Sequence, residues 1–295
     1  MDQLRHVNNV TYADYLQEAR IDFFRAVELR IDAHGSDPQG PPASEDAYGI
    51  IVVRHEITYL APLHFDYHPV SVETWVSEVR AASFSVGYEV FREADDGTRT
   101  VFLRATTRLA PFVFGSQRPR RLTASEREAM APYVEPAEPT DPAAPPRPAF
   151  GPARHRPVGH YPVHVRFSDL DPYGHVNNVI YLEYFQEGRV AFHGRLWRDL
   201  PAGTPRTGLV VAQHDCDYLR PMLARPDGYD LWTWVAAVGG RSVVLESEIC
   251  EPGTEVVMAR ARTVVVFFDS SAGRSVEPPS AYRDPMVAEL ESARE

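Results

Sequence analysis

The spacing of apolar residues predicts two long helices, one in each half of this 295-residue chain. The first covers Val10–Val27 and the second Asn177–Trp197, where Val179, Leu182 and Phe185 follow one another at three-residue intervals. Apolar residues at this spacing share one face of a helix. Aromatic residues extend the apolar surface to neighbouring faces of both helices, so we expect each helix to be wrapped by a sheet.

Strand patterns follow each helix. Alternating apolar and polar positions, β-branched residues and Gly or Pro at the boundaries are typical of strands. The predicted strands are Gly49–Leu60, Val70–Arg80, Phe84–Arg92 and Val101–Phe114 in the first half, and Leu209–Leu219, Asp230–Val238, Ser242–Cys250 and Glu255–Phe268 in the second. The sequences Asp95-Asp96-Gly97 and Pro252-Gly253 are expected to form hairpin turns.

The second half carries an additional predicted strand, Tyr161–Phe167, ahead of its helix. The first half begins at Met1 and lacks a counterpart of this strand. An open sheet edge over a buried helix is unfavourable. We therefore expect the first strand of the first domain to lie upstream of Met1.

The two halves are copies of one domain. Each contains His-Val-Asn-Asn with an acid four residues before the histidine, at Asp2 in the first half and at Asp171 in the second. The likeness continues into the strands, where His55 matches His214. A repeat of about half the chain is far longer than the roughly 20–50 residues of a solenoid unit, so each copy is interpreted as a whole domain.

A proline-rich stretch separates the copies. Eight prolines lie between Tyr133 and Gly159, and neither a helix nor a central strand tolerates such a density. The sequence therefore predicts a first domain over 1–132, an extended linker over 133–159 and a second domain over 160–295.

Composition narrows the class of protein. The net charge of −11 argues against a general nucleic-acid binder. No run of some 18 apolar residues predicts a membrane span, and no N-terminal signal is visible, so the cytoplasm is the expected compartment. The two cysteines, Cys216 and Cys250, do not form a disulfide framework by pattern. The histidines are spread without ligand spacing, so no metal site is predicted.

The motif of each copy resembles that of the hot-dog-fold thioesterases of the 4-hydroxybenzoyl-CoA thioesterase type. The resemblance runs from Asp171 to Arg189 and from Asp2 to Arg20, through His-Val-Asn-Asn and the spaced Tyr, Gln, Glu and Arg of the helix. It implies an α+β fold with a long central helix wrapped by an antiparallel sheet. Two such domains in tandem imply a double hot-dog with sites shared between the halves, and further self-association into a homo-oligomer is compatible with it.

Hydrolysis of a thioester requires a nucleophile or a base that activates water, together with donors for the oxyanion that develops. The resemblance implies that Asp171 is the catalytic carboxylate and Asp2 its counterpart. Backbone amides at the start of the following helix, with the positive end of its dipole, can supply the donors. Both direct attack and activation of water are compatible with the motif.

The other motif positions have both functional and structural interpretations. The candidate catalytic residues are Asp171, Asp2, His175 and His6; the candidate substrate-binding residues are Asn177, Asn178, Asn8, Asn9, Tyr181 and Tyr12; and Glu187 and Glu18 are reserve catalytic candidates. Each has a structural alternative: helix caps for the acids and asparagines, backbone bonding for the histidines, core packing for the tyrosines, and solvated or paired side chains for the glutamates.

The two copies differ at the motif. Arg5 stands where the second copy has Gly174, which changes the conformational freedom of the turn and adds a cation beside Asp2. We therefore rank the second-copy site first. Asp169 has no counterpart in the first copy and is interpreted as a turn residue. His55 and His214 either line an acyl pocket or pack within the sheet.

The leading hypothesis is an acyl-CoA thioesterase that hydrolyses a fatty or aromatic acyl-CoA to the free acid and CoA, without cofactor or metal. One alternative is an acyl-carrier-protein thioesterase, for which Arg118, Arg120 and Arg121 are a candidate docking cluster for an acidic carrier. Another alternative is a non-catalytic acyl-CoA-binding module on the same fold. No nucleic-acid or membrane partner is predicted.

Overall fold

The computed structural model describes residues 7–27, 29, 48–113, 115–116, 118–135, 148–270 and 272–292. Asp2, Arg5 and His6 lie outside these residues, as do residues 136–147 of the predicted linker. In chain order the elements are α1 (Thr11–Ala26), β1 (Tyr48–Tyr59), β2 (Ser71–Val79), β3 (Phe84–Glu93), β4 (Arg99–Val113), β5 (Arg118–Pro119), α2 (Ala124–Met130), β6 (His160–Val163), α3 (Asn178–Leu196), β7 (Gly208–Tyr218), β8 (Tyr229–Val238), β9 (Ser242–Cys250), β10 (Val257–Asp269), β11 (Arg274–Ser275) and α4 (Ser280–Glu291).

Both predicted helices and all eight predicted long strands are confirmed to within a few residues. The predicted strand Tyr161–Phe167 was too long: β6 ends at Val163, and Phe167–Asp169 forms a 3-10 turn that leads into the motif. Two shorter helices, α2 and α4, were not predicted. Both predicted hairpin turns are present, with Gly97 and Gly253 at positive φ.

The chain divides into two compact units. In one unit, which contains most of the first copy, the strand order is β2-β3-β4-β1, with β5 paired to β4. In the other, which includes the described parts of 1–11, 62–65 and 147–295, the order is β7-β10-β9-β8-β6, with β11 paired to β10. All of these strand pairs are antiparallel.

The repeat extends to the irregularities of the two sheets. Pairing of β1 with β4 shifts register after Val52, and pairing of β7 with β10 shifts after Val211, the equivalent position. At a second shared bulge, the carbonyl of Phe102 accepts the amides of both Leu60 and Ala61, and the carbonyl of Met258 accepts the equivalent two amides. Because bulges bend and twist a strand locally, the two copies share their sheet curvature as well as their strand order.

The core of each unit lies between its long helix and its sheet. Leu16 of α1 is fully buried, and the ring of Phe24 lies 5.9 Å from that of Phe84 in β3. In the other unit Phe192 of α3 is packed in one buried cluster with residues of β8, β9, β10 and α4. None of the described helices is both long and apolar enough to span a membrane.

Close packing of α3 against β8 predicts a destabilising substitution. A Cβ at Gly188 would overlap Cδ2 of Leu231, whose side chain is fully buried. Such overpacking costs about 1–3 kcal/mol, against a gain of about 1 kcal/mol in helix propensity. We expect Gly188→Ala to lower the free energy of unfolding by about 1 kcal/mol in urea denaturation.

The first copy provides the compensating change, because Ala19 and Val72 occupy the positions equivalent to Gly188 and Leu231. The double variant Gly188→Ala, Leu231→Val should recover most of the loss. Equal stability of Gly188→Ala and the unmodified chain would contradict this account of the packing.

Candidate active site

A tight loop between the 3-10 turn and α3 carries Asp171. The amide of Asp171 donates to the carbonyl of His175 at 2.7 Å, and the amide of Gly174 donates to the carbonyl of Asp171 at 3.0 Å. Gly174 has a φ of +78°, a conformation that residues with a Cβ rarely adopt. The loop is therefore closed by its own backbone, and glycine at this position is what allows it.

The two oxygens of the Asp171 carboxylate have different surroundings. Oδ1 accepts the amides of Tyr173 at 2.9 Å and His175 at 3.0 Å. Oδ2 has no hydrogen-bond partner among the described residues. Burial raises the pKa of Asp171 above its ordinary value, although the His175 amide and the charge of its imidazole act in the opposite direction. One oxygen thus fixes the side chain, and the other can accept a proton or attack a carbon.

Asn177 is the N-cap of α3. Its side-chain oxygen accepts the amide of Val179 at 3.0 Å, and its carbonyl accepts the amide of Ile180 at 3.0 Å. The carbonyl of Asn178 accepts the hydroxyl of Tyr218 at 2.8 Å. The side chain of Asn177 is therefore used to start the helix. The positive end of the α3 dipole lies at this point of the chain, next to the loop that carries Asp171.

A buried acid holds the loop to the helix. Asp169 is 1% exposed, and its carboxylate accepts the hydroxyl of Tyr184 at 2.6 Å and both the amide and Nε of Arg166. Its carbonyl accepts the amide of Asn177 at 2.8 Å. Burial alone would raise the pKa of Asp169, but the bonds from Arg166 and Tyr184 outweigh it and lower the pKa. Asp169 is thus an ionised, buried turn residue two positions before the candidate catalytic acid.

The first copy repeats the start of the helix. The side-chain oxygen of Asn8 accepts the amide of Val10 at 3.2 Å, as Asn177 accepts that of Val179. The amide of Val7 donates to the carbonyl of Leu63, and the amide of Val176 donates to that of Met222, the equivalent pair. Asn9 lies in the turn two residues before Thr11, the first residue of α1. The candidate acid and histidine of this copy, Asp2 and His6, lie outside the described residues.

The candidate tyrosines pack in the cores. The hydroxyl of Tyr181 accepts the amide of Met222 at 2.9 Å, and burial raises its pKa. Its ring lies edge-on to that of Tyr218 at 5.1 Å, and Tyr12 meets Tyr59 in the same way at 5.6 Å. This geometry favours the structural interpretation of both tyrosines.

The equivalent histidines of β1 and β7, His55 and His214, each form a hydrogen bond with a threonine of the neighbouring strand. Nδ1 of His55 lies 2.8 Å from the hydroxyl of Thr107, and Nδ1 of His214 lies 2.9 Å from that of Thr263. Burial, with a smaller effect from the charge of Arg189, lowers the pKa of His214 to about 3. The His214 imidazole is therefore neutral, and its Nε2 has no partner among the described residues.

The helical glutamates are exposed, and the helical arginines are buried. The side chains of Glu18 and Glu187 are exposed, whereas Arg20 and Arg189 are 5% and 8% exposed. Arg20 donates to the hydroxyl of Tyr88 at 3.5 Å. The reserve glutamates therefore do not share the partly buried environment of Asp171.

Sequence reasoning missed the roles of Arg166 and Tyr184. Tyr184 is one of the repeated tyrosines of the helix motif and Asp169 was interpreted as a turn residue, but nothing in their 15-residue separation indicated contact. The arrangement as a whole offers one carboxylate oxygen, in a partly desolvated loop, beside the positive end of a helix.

The model of the thioesterase-like superfamily matches residues 1–143 and 165–289. The uncharacterized protein YsmA of Bacillus subtilis (strain 168) is 34% identical over 103 residues, which are 32% of this chain and 68% of that protein. An acyl-ACP thioesterase from Bacteroides thetaiotaomicron VPI-5482 superposes with a TM-score of 0.62 at 19% identity, over 91% of this chain and 93% of its own. A 12:0-ACP thioesterase from Umbellularia californica does so with a TM-score of 0.68 at 16% identity, over 91% and 90%. The tandem hot-dog fold is thereby confirmed.

Proposed function

Because the chain belongs to the thioesterase-like superfamily, we propose that it hydrolyses acyl-CoA thioesters at the second-copy motif, with Asp171 as the catalytic carboxylate. As a member of this family, the chain is a thioester hydrolase that acts on acyl thioesters. Family membership thus favours an enzyme over the non-catalytic binding module.

The proposal rests on the different environments of the two oxygens of the Asp171 carboxylate. Oδ1 is anchored by two backbone amides, which fixes the side-chain rotamer. Oδ2 is left without a partner among the described residues, as a base or nucleophile requires. Partial burial raises the pKa of Asp171, which makes its ionised form a stronger base.

The oxyanion of the tetrahedral intermediate requires donors that are already in place. The start of α3 supplies the positive end of a 19-residue helix immediately after the Asp171 loop. The cap bond, which the amide of Val179 donates to the side-chain oxygen of Asn177, fixes the direction of this first turn. We therefore assign oxyanion stabilisation to the helix start rather than to the asparagine side chains.

The second-copy site is the more complete of the two. Its loop needs glycine at φ +78°, and the first copy has Arg5 there. Asp169 of the second copy also anchors the loop by accepting the Tyr184 hydroxyl. The glycine difference and this anchor support assigning hydrolysis chiefly to Asp171.

An acyl carrier protein is the second candidate carrier of the substrate. Two structures that share the fold over most of this chain are those of acyl-ACP thioesterases. The candidate docking arginines support an acyl-carrier-protein substrate less than their sequence suggested, because Arg120 donates two hydrogen bonds, of 2.6 and 2.9 Å, to the carboxylate of Glu126. Arg118 and Arg121 remain exposed.

The test is hydrolysis of matched acyl chains on the two carriers. We expect release of thiol from acyl-CoA, with kcat/KM for each acyl-CoA exceeding that for the same acyl group on an acyl carrier protein. The double variant Arg118→Ala, Arg121→Ala serves as a carrier control, because it should lower kcat/KM for the carrier protein alone. A preference for the carrier-bound chain that this variant abolishes would overturn the acyl-CoA assignment.

A further inference from the structure

The end of the proline-rich segment crosses one face of the sheet in the second-copy unit. We call residues 148–156 the strap. The strap amide of Gly151 donates to the Glu246 carboxylate of β9 at 3.0 Å, and Arg154 donates to the carbonyl of Val235 in β8 at 3.0 Å. Arg262 of β10 donates to the carbonyl of Ala149 at 2.6 Å. The strap is therefore bonded to three successive strands.

Charged and polar side chains lie buried beneath the strap. Glu246 and Glu248 are 2% and 1% exposed, and Cys250 is also buried. Alternate residues of a strand point to the same face of a sheet, so these three residues of β9 form one row. Buried carboxylates require partners, and Arg262 and Arg260 of β10 supply ion pairs to Glu246 and Glu248.

His155 of the strap reaches this row. Its Nε2 lies 3.1 Å from Oε2 of Glu248, and Sγ of Cys250 lies 4.0 Å from the same oxygen. One ligand atom from each residue lies within 4.8 Å of the other two. The His155 ring stacks on Trp232 at 5.0 Å with an interplanar angle of 17°, which fixes its orientation. Arg260 pairs with the other oxygen of Glu248.

We propose that His155, Glu248 and Cys250 bind a zinc ion that fastens the strap to the sheet. A thiolate, an imidazole and a carboxylate are the three ligand types that Zn²⁺ takes in proteins. At ordinary Zn–N, Zn–O and Zn–S bond lengths, tetrahedral ligands lie roughly 3.3–3.6 Å apart. The separations of 3.1 Å and 4.0 Å from Oε2 lie within about 0.5 Å of this range, and the ligand atoms of His155 and Cys250, which lie within 4.8 Å of one another, need to approach by up to about 1.3 Å. Water supplies the fourth ligand, because the His155 side chain is 31% exposed.

The thiol must lose its proton on binding. Burial, with the charges of Glu248 and Asp230, raises the pKa of Cys250 to about 12. A coordinated zinc ion displaces this proton to solvent, as metal binding to cysteine generally does. The ion pair of Arg260 is with Oε1 of Glu248, so it leaves Oε2 as the ligand atom.

The test uses the untagged full chain, stripped with a chelator and titrated with Co²⁺ as a spectroscopic substitute for Zn²⁺. We expect one equivalent to bind, with a thiolate-to-cobalt charge-transfer band, and Zn²⁺ to displace it. His155→Gln should weaken binding at least about tenfold, in line with the loss of a ligand. Cys250→Ser should also abolish the charge-transfer band.

Two matched controls separate the site from general metal affinity. Cys216→Ser removes the other cysteine, and His160→Gln removes a histidine that pairs with Asp230 at 2.6 Å and also contacts Trp232. Both should bind Co²⁺ as the unmodified chain does. Circular dichroism verifies that each variant is folded. If Cys250→Ser does not fold, His155→Gln, which changes a surface residue, still tests the site. Failure of the unmodified chain to bind one equivalent at micromolar Co²⁺, or an unchanged affinity in His155→Gln, would overturn the proposal.

Discussion

Replacing Asp171 by asparagine is expected to reduce kcat/KM for thioester hydrolysis by about 10²–10⁴-fold, the usual contribution of a general base. The variant keeps an oxygen in the Oδ1 position, so the amides of Tyr173 and His175 retain their acceptor. It replaces the unpartnered Oδ2 by an NH₂ group that can neither accept a proton nor attack a thioester carbonyl. The effect is measured as the rate of hydrolysis of a small panel of acyl-CoA substrates, monitored through the release of thiol.

The same variant should unfold at an unchanged or slightly higher temperature. Burial raises the pKa of Asp171 in the folded state. The stability linked to this group is therefore complete below its unfolded pKa and declines as pH rises through its folded pKa. Asparagine does not titrate, so it removes that decline at neutral pH. A thermal scan thus separates a catalytic loss from a folding defect.

The control for charge removal is Asp199→Asn, an exposed acid just beyond α3, which should leave the rate unchanged. Glu187→Gln tests the reserve candidate on the helix. Full activity of Asp171→Asn together with a large loss in Glu187→Gln would transfer the catalytic role to the glutamate. Full activity of the double variant Asp171→Asn, Asp2→Asn would rule out both motif aspartates.

The repeat made much of the fold predictable. Two copies of one pattern located both long helices and the eight long strands, and the shared positions of His55 and His214 placed equivalent residues on equivalent strands. Helices α2 and α4 were missed for different reasons. The capping box of Thr123 and Glu126 was present in the sequence but unused, whereas Pro285 within α4 argued against a helix there.

The spacing of residues in the sequence could not predict contacts between residues that are far apart along the chain. His155 and Glu248 are 93 positions apart, and they meet because the strap lies over β9. Cys250 joins them because alternate strand residues share a face. The acid of the motif was identifiable, since its sequence neighbours form the loop, but which of its oxygens is anchored depends on backbone amides that a sequence does not locate.

Removal of the Asp169 anchor should produce the second large effect, on both stability and catalysis. The carboxylate accepts bonds from the buried Tyr184 hydroxyl and from Arg166. Asp169→Ala would leave the Tyr184 hydroxyl unsatisfied, and we expect a loss of about 2–3 kcal/mol in the free energy of unfolding. Arg166 is 64% exposed, so its ion pair contributes a small part of this loss. Urea denaturation measures it.

Tyr184→Phe tests the same contact with less disturbance, at about 1 kcal/mol for one hydrogen bond. Burial and the bond to Asp169 both raise the pKa of Tyr184, so its hydroxyl remains a donor.

Without this hydroxyl the loop is held less firmly and Asp171 becomes more hydrated, which should lower kcat more than it changes KM. It should also move the acid limb of the pH–rate profile towards lower pH, since burial is what raises the pKa of Asp171. Tyr15→Phe, the equivalent change in the first copy, should leave the profile in place. A Tyr184→Phe variant that is less stable but has an unshifted profile would show that the contact serves folding alone.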